Sequence, residues 1–584
     1  MATNEEIADK LREVYNLMQL AGENRFRAIA FDRAAQTIES LSDPVQQYIE
    51  NKNLTDLKGV GKSIAEDIYT FEETGSMPVL EHLKEKVPAG LVKWLNISGL
   101  GPKNILKIHK ELGITEVDEL KKACEDGRVA KLPGLGKKSA GKIVKSIEWL
   151  QQFGERCLLS EAASIAQPMK DFLNQQPGVK QIEVAGSLRR SKETIGDIDI
   201  LVAAEPDDAE KIFDAFVNHD LVVDVLGRGD TKSSIRTGEG RQVDLRIVSE
   251  KEYPAALIYF TGSKEHNVVM RQRARSRNMS LNEYGLFGLT GEGETDFDQP
   301  VDFASEEDIY RRLDLHFIPP ELREDRGEFD FFEENETFPL IELNDVCGVV
   351  HAHSTWSDGK YTIEKMARAC MEKGYEYLGI SDHSRTAAYA GGLSIDEVQK
   401  QWEEIDQLNE KLIEEGADFV VFKGIESDIL SDGSLDYPDE ILDGFDFVIA
   451  SVHSGLEMPQ EQMTERFMKA IEHPAVQMIG HPTGRLLLRR DGSKLDMNKL
   501  IDWAAQHNTA IEINANPWRL DMDWRHGNLA LEKKLLTSIN PDAHSIDGID
   551  DIRYGVMIAR KAKFGKERVL NTLSAKKFRK WLES

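Results

Sequence analysis

From residue 345 to the C-terminus, short apolar runs alternate with amphipathic stretches. The runs are VVHAH (349–353), YLGISDH (377–383), FVVFKGIE (419–426), FVIASVH (447–453), VQMIGH (476–481), AIEINAN (510–516) and LLTSINPDAH (535–544). Each reads as a strand. Between most of them, 362–373, 395–415, 460–472, 497–507 and 550–563 carry helical periodicity. About seven such alternations predict a parallel sheet closed into a barrel.

The apolar runs keep ending in potential metal ligands: His351, His353, Asp358, His383, Glu426, His453, His481, Asp542 and His544. Loops at the C-terminal strand ends of a parallel barrel bring distant side chains together. His351 and His353, two apart, share one face of an extended strand. Six imidazoles and three carboxylates exceed one tetrahedral ion and suit two or three. Mixed nitrogen and oxygen donors fit zinc, manganese or iron better than calcium or a thiolate-bound metal. A single buried histidine is more often an ordinary core residue, and His473, His507 and His526, away from strand ends, are read that way or as surface. The segments HAHSTWSDG, SDHS, GIESDI, SVHSG, GHPTGR and NPDAHS resemble the motifs of the polymerase and histidinol phosphatase (PHP) domain. That resemblance implies a distorted seven-stranded barrel in which the nine residues hold three ions, zinc or manganese, and hydrolyse phosphoesters. Arg485, Arg489 and Arg519, near the strand ends, are candidates to hold substrate phosphates.

A second pattern lies in the middle of the chain. In GSLRRSKETIGDID (186–199), Asp197 and Asp199 alternate with Ile198 and Ile200, so both carboxylates share a strand face. In RQVDLRIV, Val243, Leu245 and Ile247 face a core and leave Asp244 opposite. Three hard oxygen ligands on neighbouring strands suit magnesium. The segment resembles the nucleotidyltransferase signature. The resemblance implies two ions (Mg2+ or Mn2+) on Asp197, Asp199 and Asp244, with Asp244 accepting the primer hydroxyl proton. It also implies a triphosphate on Gly186, Ser187, Arg190 and Gly196. YFTGS (259–263) resembles the family X polymerase segment that packs on the nucleotide sugar, giving Tyr259, Phe260 and Gly262 that role. Asn267 and Arg271, on a helix beginning near His266, match positions at the nascent base pair and template.

The N-terminal third carries three copies of G-x-G, at Gly59 and Gly61, Gly99 and Gly101, and Gly134 and Gly136, each leading into a helical pattern. Glycines permit the tight turn, and the following helix offers free N–H groups and its positive dipole end to a phosphate. The copies resemble helix-hairpin-helix motifs, which position DNA without reading its sequence. Helical periodicity from about 5 to 38 includes GENRFRAIAFDRAA, similar to the small N-terminal domain of family X DNA polymerases. Where relatives with lyase activity place a Schiff-base lysine, this chain has Asp67, which cannot form an imine.

Net charge of −29 does not exclude nucleic acid, because 91–145 holds twelve Lys or Arg against six Asp or Glu. No window is apolar enough to span a membrane, and four scattered cysteines lack C-x-x-C spacing, so a cytoplasmic protein is expected. Nearly end to end, the chain resembles bacterial family X DNA polymerases with a C-terminal PHP domain. The resemblance implies an all-α helix-hairpin-helix region (1–90 and a fingers-like 91–150), an α+β palm with its nucleotide-binding part (151–325), a linker (326–344) and an α/β barrel (345–584). The implied enzyme is a monomer that fills short gaps in primer-template DNA from deoxynucleoside triphosphates. Its barrel supplies a 3′ to 5′ exonuclease, with abasic-site cleavage as a further candidate. Two other readings stay open: a DNA-end-binding scaffold, and a phosphatase acting on a small phosphomonoester.

Overall fold

A computed structural model describes the chain apart from residues 1–3, 40–44, 58, 95–96, 98–99, 154–155, 291–293 and 336–337. The chain forms two compact units, Met1–Glu155 and Arg156–Ser584. No helix among the described residues is long and apolar enough to cross a membrane.

The first unit is helical. The periodicity expected from 5 to 38 resolves into Asn4–Ala21 and Arg25–Glu39, parted at Gly22, whose φ of +70° ends the first helix. Ile7, Leu11, Val14 and Met18, three or four apart, face the core. Each G-x-G runs straight into a helix: Lys62–Thr74, Pro102–Leu112 and Lys137–Phe153. Gly59 and Gly134 take φ of +90° and +81°, a conformation that side-chain-bearing residues rarely adopt. Gly61 and Gly101 are extended N-caps without a side-chain cap, which leaves first-turn N–H groups available. Gly99, together with Ser98, lies outside the described residues.

In the second unit, after the helix Leu159–Asn174, comes a five-stranded sheet in the spatial order Val179–Val184, Ile198–Ala204, Gln242–Val248, Lys232–Thr237, Val222–Arg228. Ile198–Ala204 and Gln242–Val248 run parallel at its centre, and their alternating apolar residues form the core beneath. Tyr253–Thr261 and Lys264–Arg275 follow, then a three-stranded sheet, Met279–Asn282, Gly285–Leu289 and Thr295–Pro300. Buried Arg323 bonds Glu306, which also takes Arg189. Burial alone would raise the Glu306 carboxyl, but the two guanidinium groups outweigh it and hold it at about 2.

The stretch expected as a linker carries a helix, Glu328–Glu334, whose Phe329 and Phe332 join a hydrophobic cluster with Met270 and Leu313. Glu328, fully buried, accepts from His266 Nδ1 at 2.8 Å, and the His266 ring stacks on Phe329. Glu328, Phe329 and Phe332 there pack inward, while Asp330, Glu333 and Glu334 are exposed.

The C-terminal half is the expected barrel. Seven strands, Gly348–Ala352, Tyr377–Ile380, Val420–Asp428, Phe447–Ser451, Val476–Ile479, Ala510–Asn514 and Thr537–Asn540, pair in sequence order and all in parallel. First and last strands meet through bonds around Ala543, from its N–H to His351 O and from His353 N–H to its carbonyl, so the barrel is nearly closed. Tyr377, Phe422, Phe447 and, from the C-terminal helix Ala575–Leu582, Phe578 form one apolar cluster within it. The polar residues gather at the C-terminal strand ends.

Candidate active sites

In the palm, parallel register places Asp199 directly beside Asp244, and Asp197 precedes the same strand. One oxygen from each of the three carboxylates lies within 4.8 Å of the others. Asp244 is 4% exposed and held by Lys232 Nζ at 2.6 Å and Gln242 Nε2 at 3.0 Å. Burial pushes the Asp199 carboxyl up to about 6, and its neighbours Asp197 and Asp244 push the same way. A carboxylate that resists ionisation only because of burial and like charge is relieved by a divalent cation, so the donor set fits one.

Gly186 takes φ of +61°, and a Cβ there would collide with Asp199 Oδ2, so the turn approaches the carboxylates as only glycine allows. Ser187 follows it on the short helix Gly186–Arg189, and Gly196 adjoins Asp197. Tyr259, Asn267 and Arg271 line one cleft with Leu281 and Asn282. Asn267 Nδ2 donates to the Tyr259 carbonyl at 2.8 Å, which links the two elements. The helix expected near His266 begins at Lys264, capped by the Ser263 hydroxyl. Phe260, edge-on to the Tyr259 ring at 5.1 Å, carries the Arg246 guanidinium at 4.4 Å. Gly262, with φ of +72°, ends the helix that carries both aromatics. Arg190, expected on the triphosphate, bonds Glu324 through Nε at 3.2 Å and the Thr261 carbonyl through Nη1. Its guanidinium is already committed in this structure.

At the barrel, all nine expected residues fall into overlapping sets able to hold ions: His353, Asp358, His383 and His544; His351, His353 and Glu426; His351, His481 and Asp542; and His383, Glu426 and His453. Glu426 is the hub. Its carboxylate lies 2.8 Å from His481 Nε2, 2.9 Å from His383 Nδ1 and 3.3 Å from His453 Nε2. His351 and His353 converge by a different route from the one expected: the register shifts between Val349 and Ala352, and His351 takes φ of +65°. A bulge aims a side chain that a regular strand would place otherwise. Asp542, at φ of +53°, is also in left-handed backbone. Such strain persists only where surrounding structure over-determines it.

Burial, with His544 and His383 nearby, pushes His353 down to about 3, so it is a neutral imidazole. Burial would lower His453 and His544 too, but Glu426 and Asp428 raise the first to about 10, and Asp358 and Asp542 the second to about 9. Among the described residues, His351 Nε2, His353 Nδ1 and His481 Nδ1 are buried without a hydrogen-bond partner. Each such atom costs about 1–3 kcal/mol. Buried nitrogen and oxygen donors clustered this way fit divalent metal ions.

Against burial, Glu512, Asp542 and Glu426 likewise hold His351 well above the ordinary histidine range, so metal uptake must displace protons from His351, His453 and His544. At pH 7.5 calorimetry in buffers of different ionisation enthalpy should therefore show about three protons released, and affinity should rise towards pH 9. In protein stripped of metal, the raised histidine pKa values stabilise the fold fully below the unfolded value of about 6.5, and that stabilisation is lost as pH rises through 9 to 10.

Several functional side chains escaped the sequence reading. Glu512, fully buried on the sixth strand, accepts from His351 Nδ1 at 2.6 Å, and Asp428 accepts from His453 Nδ1 at 2.7 Å. Such partners fix the ring and leave the other nitrogen for the metal. The signal was present, since Glu512 is the one acid in AIEINAN. Tyr389, 72% exposed, has its ring centroid 6.3 Å from those of both His383 and His453. Of the three arginines, Arg519 reaches Asp542 at 3.5 Å and Arg489 stacks on Trp518. Arg485 is spent on Asp523 at 2.6 Å and on the Arg519 carbonyl, so it serves the loop rather than a phosphate.

Convergent aspartates on a palm-like sheet, in one chain with a histidine-rich parallel barrel, define a nucleotidyltransferase fused to a metal-dependent phosphoesterase. Family models agree along the chain: a helix-hairpin-helix domain over 2–77, a SAM-like helix-hairpin-helix tandem over 93–148, the DNA polymerase beta thumb over 256–324 and the PHP domain over 350–516. The chain is 38% identical over 574 residues, 98% of both chains, to the DNA polymerase/3′-5′ exonuclease PolX of Bacillus subtilis (strain 168). It is 27% identical to the DNA polymerases lambda of Rattus norvegicus (343 residues, 55% of this chain and 56% of that one) and Arabidopsis thaliana (318 residues, 49% and 55%). The chain belongs to the bacterial family X DNA polymerases that carry a PHP domain.

Proposed function

We propose that this DNA polymerase and 3′ to 5′ exonuclease fills short gaps during repair, with synthesis at the palm and 3′ trimming at the barrel. The observation that carries the reading is two separate ligand clusters in one chain: three aspartates on the palm sheet, and nine histidines and acids on the barrel. Divalent metals, Mg2+ or Mn2+ at the palm and Zn2+ or Mn2+ at the barrel, supply when bound the charge that neutralises phosphate and acidifies the attacking oxygen. Asp197, Asp199 and Asp244 hold the palm ions, and Asp244 takes the proton of the primer hydroxyl. Gly186, Ser187, Arg190 and Gly196 form the triphosphate turn. Tyr259, Phe260 and Gly262 pack on the sugar, while Asn267 and Arg271 face the base pair and template. At the barrel Arg519 steadies the scissile phosphate, and Tyr389 offers its exposed face to the terminal base.

The helix starts behind Gly61, Gly101 and Gly136 hold the DNA backbone. Asp67, at the place of the Schiff-base lysine, cannot itself form the imine of a deoxyribose phosphate lyase. The enzyme works as a cytoplasmic monomer on gapped or primer-template DNA, and the barrel also cuts at abasic sites. The test uses a 5′-labelled, one-nucleotide-gapped duplex with manganese, with and without deoxynucleotides. Asp197→Ala should abolish primer extension alone and His351→Ala primer shortening alone; neither product from the unaltered protein would overturn the reading.

A further inference from the structure

The turn that carries Gly186, Ser187 and Arg190 is gripped by side chains of the barrel. Lys561, at the end of the barrel helix Ile552–Lys561, is 2% exposed. Its Nζ donates to the Arg190 carbonyl, the Glu321 carbonyl and the Glu324 carboxylate, each at 2.8 Å. Glu324 in turn takes Arg190 Nε at 3.2 Å and lies 3.7 Å from Lys192 Nζ. A few residues on, Glu193 is 6% exposed and accepts from Trp524 Nε1 at 3.0 Å and Arg525 Nη1 at 2.8 Å, both from the barrel. The Trp524 ring lies beneath Lys561 at 4.4 Å and Lys192 at 5.5 Å. The segment 186–197 therefore has barrel partners at two points, between the glycine turn at one end and Asp197 at the other.

We propose that the PHP barrel is a working part of the polymerase site, with Lys561 and Trp524 as positioning residues that set Arg190 and its turn for the incoming triphosphate. The proposal rests on the reading of that turn as the triphosphate site. The physical reason is charge balance. Glu324 is shared between Lys561 and Arg190, and without the lysine its carboxylate is left to Arg190 and Lys192, which tightens its hold on the guanidinium that the triphosphate needs. The Arg190 and Glu321 carbonyls also lose their donor, which loosens the backbone of the turn. None of these side chains belongs to the ligand sets of the barrel, so the grip acts on synthesis and not on hydrolysis.

The test is steady-state single-nucleotide insertion on gapped duplex by full-length Lys561→Met, Lys561→Arg and Trp524→Phe, with exonuclease turnover measured on the same preparations. Lys561→Met should raise KM for the deoxynucleotide about tenfold, the size of one charge-assisted hydrogen bond, while exonuclease kcat stays within about twofold. Lys561→Arg, which keeps the charge, should recover most of the loss. Trp524→Phe, which removes the indole N–H to Glu193 and narrows the ring beneath Lys561 and Lys192, should raise KM by a smaller factor and guards against a Lys561→Met protein that does not fold. Unchanged KM in both Lys561→Met and Trp524→Phe, with Arg190→Ala raising it, would overturn the proposal. A parallel fall of both activities in both variants would reduce the contacts to general support and overturn it equally. Unchanged KM in Arg190→Ala would instead overturn the triphosphate reading itself.

Discussion

Glu426→Gln should cut exonuclease turnover by about a thousandfold while gap filling continues at its normal rate. The carboxylate is 1% exposed and meets His383, His453, His481 and His351 at 2.8 to 3.5 Å. Burial alone would raise its pKa, but the positive field of His453, His383 and His351 holds it well below the usual carboxylate range. Glutamine keeps the size and removes the charge, leaving raised-pKa histidines without their counter-ion and the metals without a shared ligand. The loss of several kcal/mol of metal-derived stabilisation corresponds to about 10³ in rate. The measurement is nucleotide release from a 5′-labelled single strand in manganese, with primer extension on the same sample as the folding control. Retention of more than a tenth of the activity would contradict the central place of Glu426.

Asp244→Asn should have the mirror effect, lowering nucleotide insertion by about a thousandfold at saturating magnesium and sparing the exonuclease. Asparagine fits the same space and keeps an acceptor for Gln242, but it removes the charge that pairs with Lys232 and the proton acceptor for the primer hydroxyl. A second readout is independent of rate. With one negative neighbour gone, the Asp199 carboxyl should fall from about 6 towards its ordinary value. In the unaltered protein, magnesium affinity at the palm should drop as pH falls through 6, because Asp199 then binds a proton; in Asp244→Asn that pH dependence should move to lower pH. A wild-type insertion rate in the variant would remove Asp244 from the chemistry.

Much of this was legible because the chemistry is local in the chain. Asp197 and Asp199 belong to one strand, and Asp244 could be assigned to a neighbour from its own alternation with Val243 and Leu245. The ligand-tipped runs of the barrel announced both strand and site, because a metal needs particular donor types and a parallel barrel collects them at one end. The stretch expected as a linker shows where local signals stop: in GEFDFFEEN, Glu328 is buried against His266, more than sixty residues earlier. Arg190, expected on the triphosphate from its motif, also has partners that no local pattern shows, Glu324 and the Thr261 carbonyl, 134 and 71 positions away.

The sequence by itself determined the strand and helix periods, the three glycine turns, the donor types and the order of parts, because each depends on neighbours within a few residues. Tertiary structure alone decided that Glu426 is the hub of the barrel site, that Glu512 backs His351 from 161 positions away, and that Lys561 reaches across 371 positions to Arg190. These are contacts of desolvated charged and polar groups, and their energies exist only once burial has removed water from both partners.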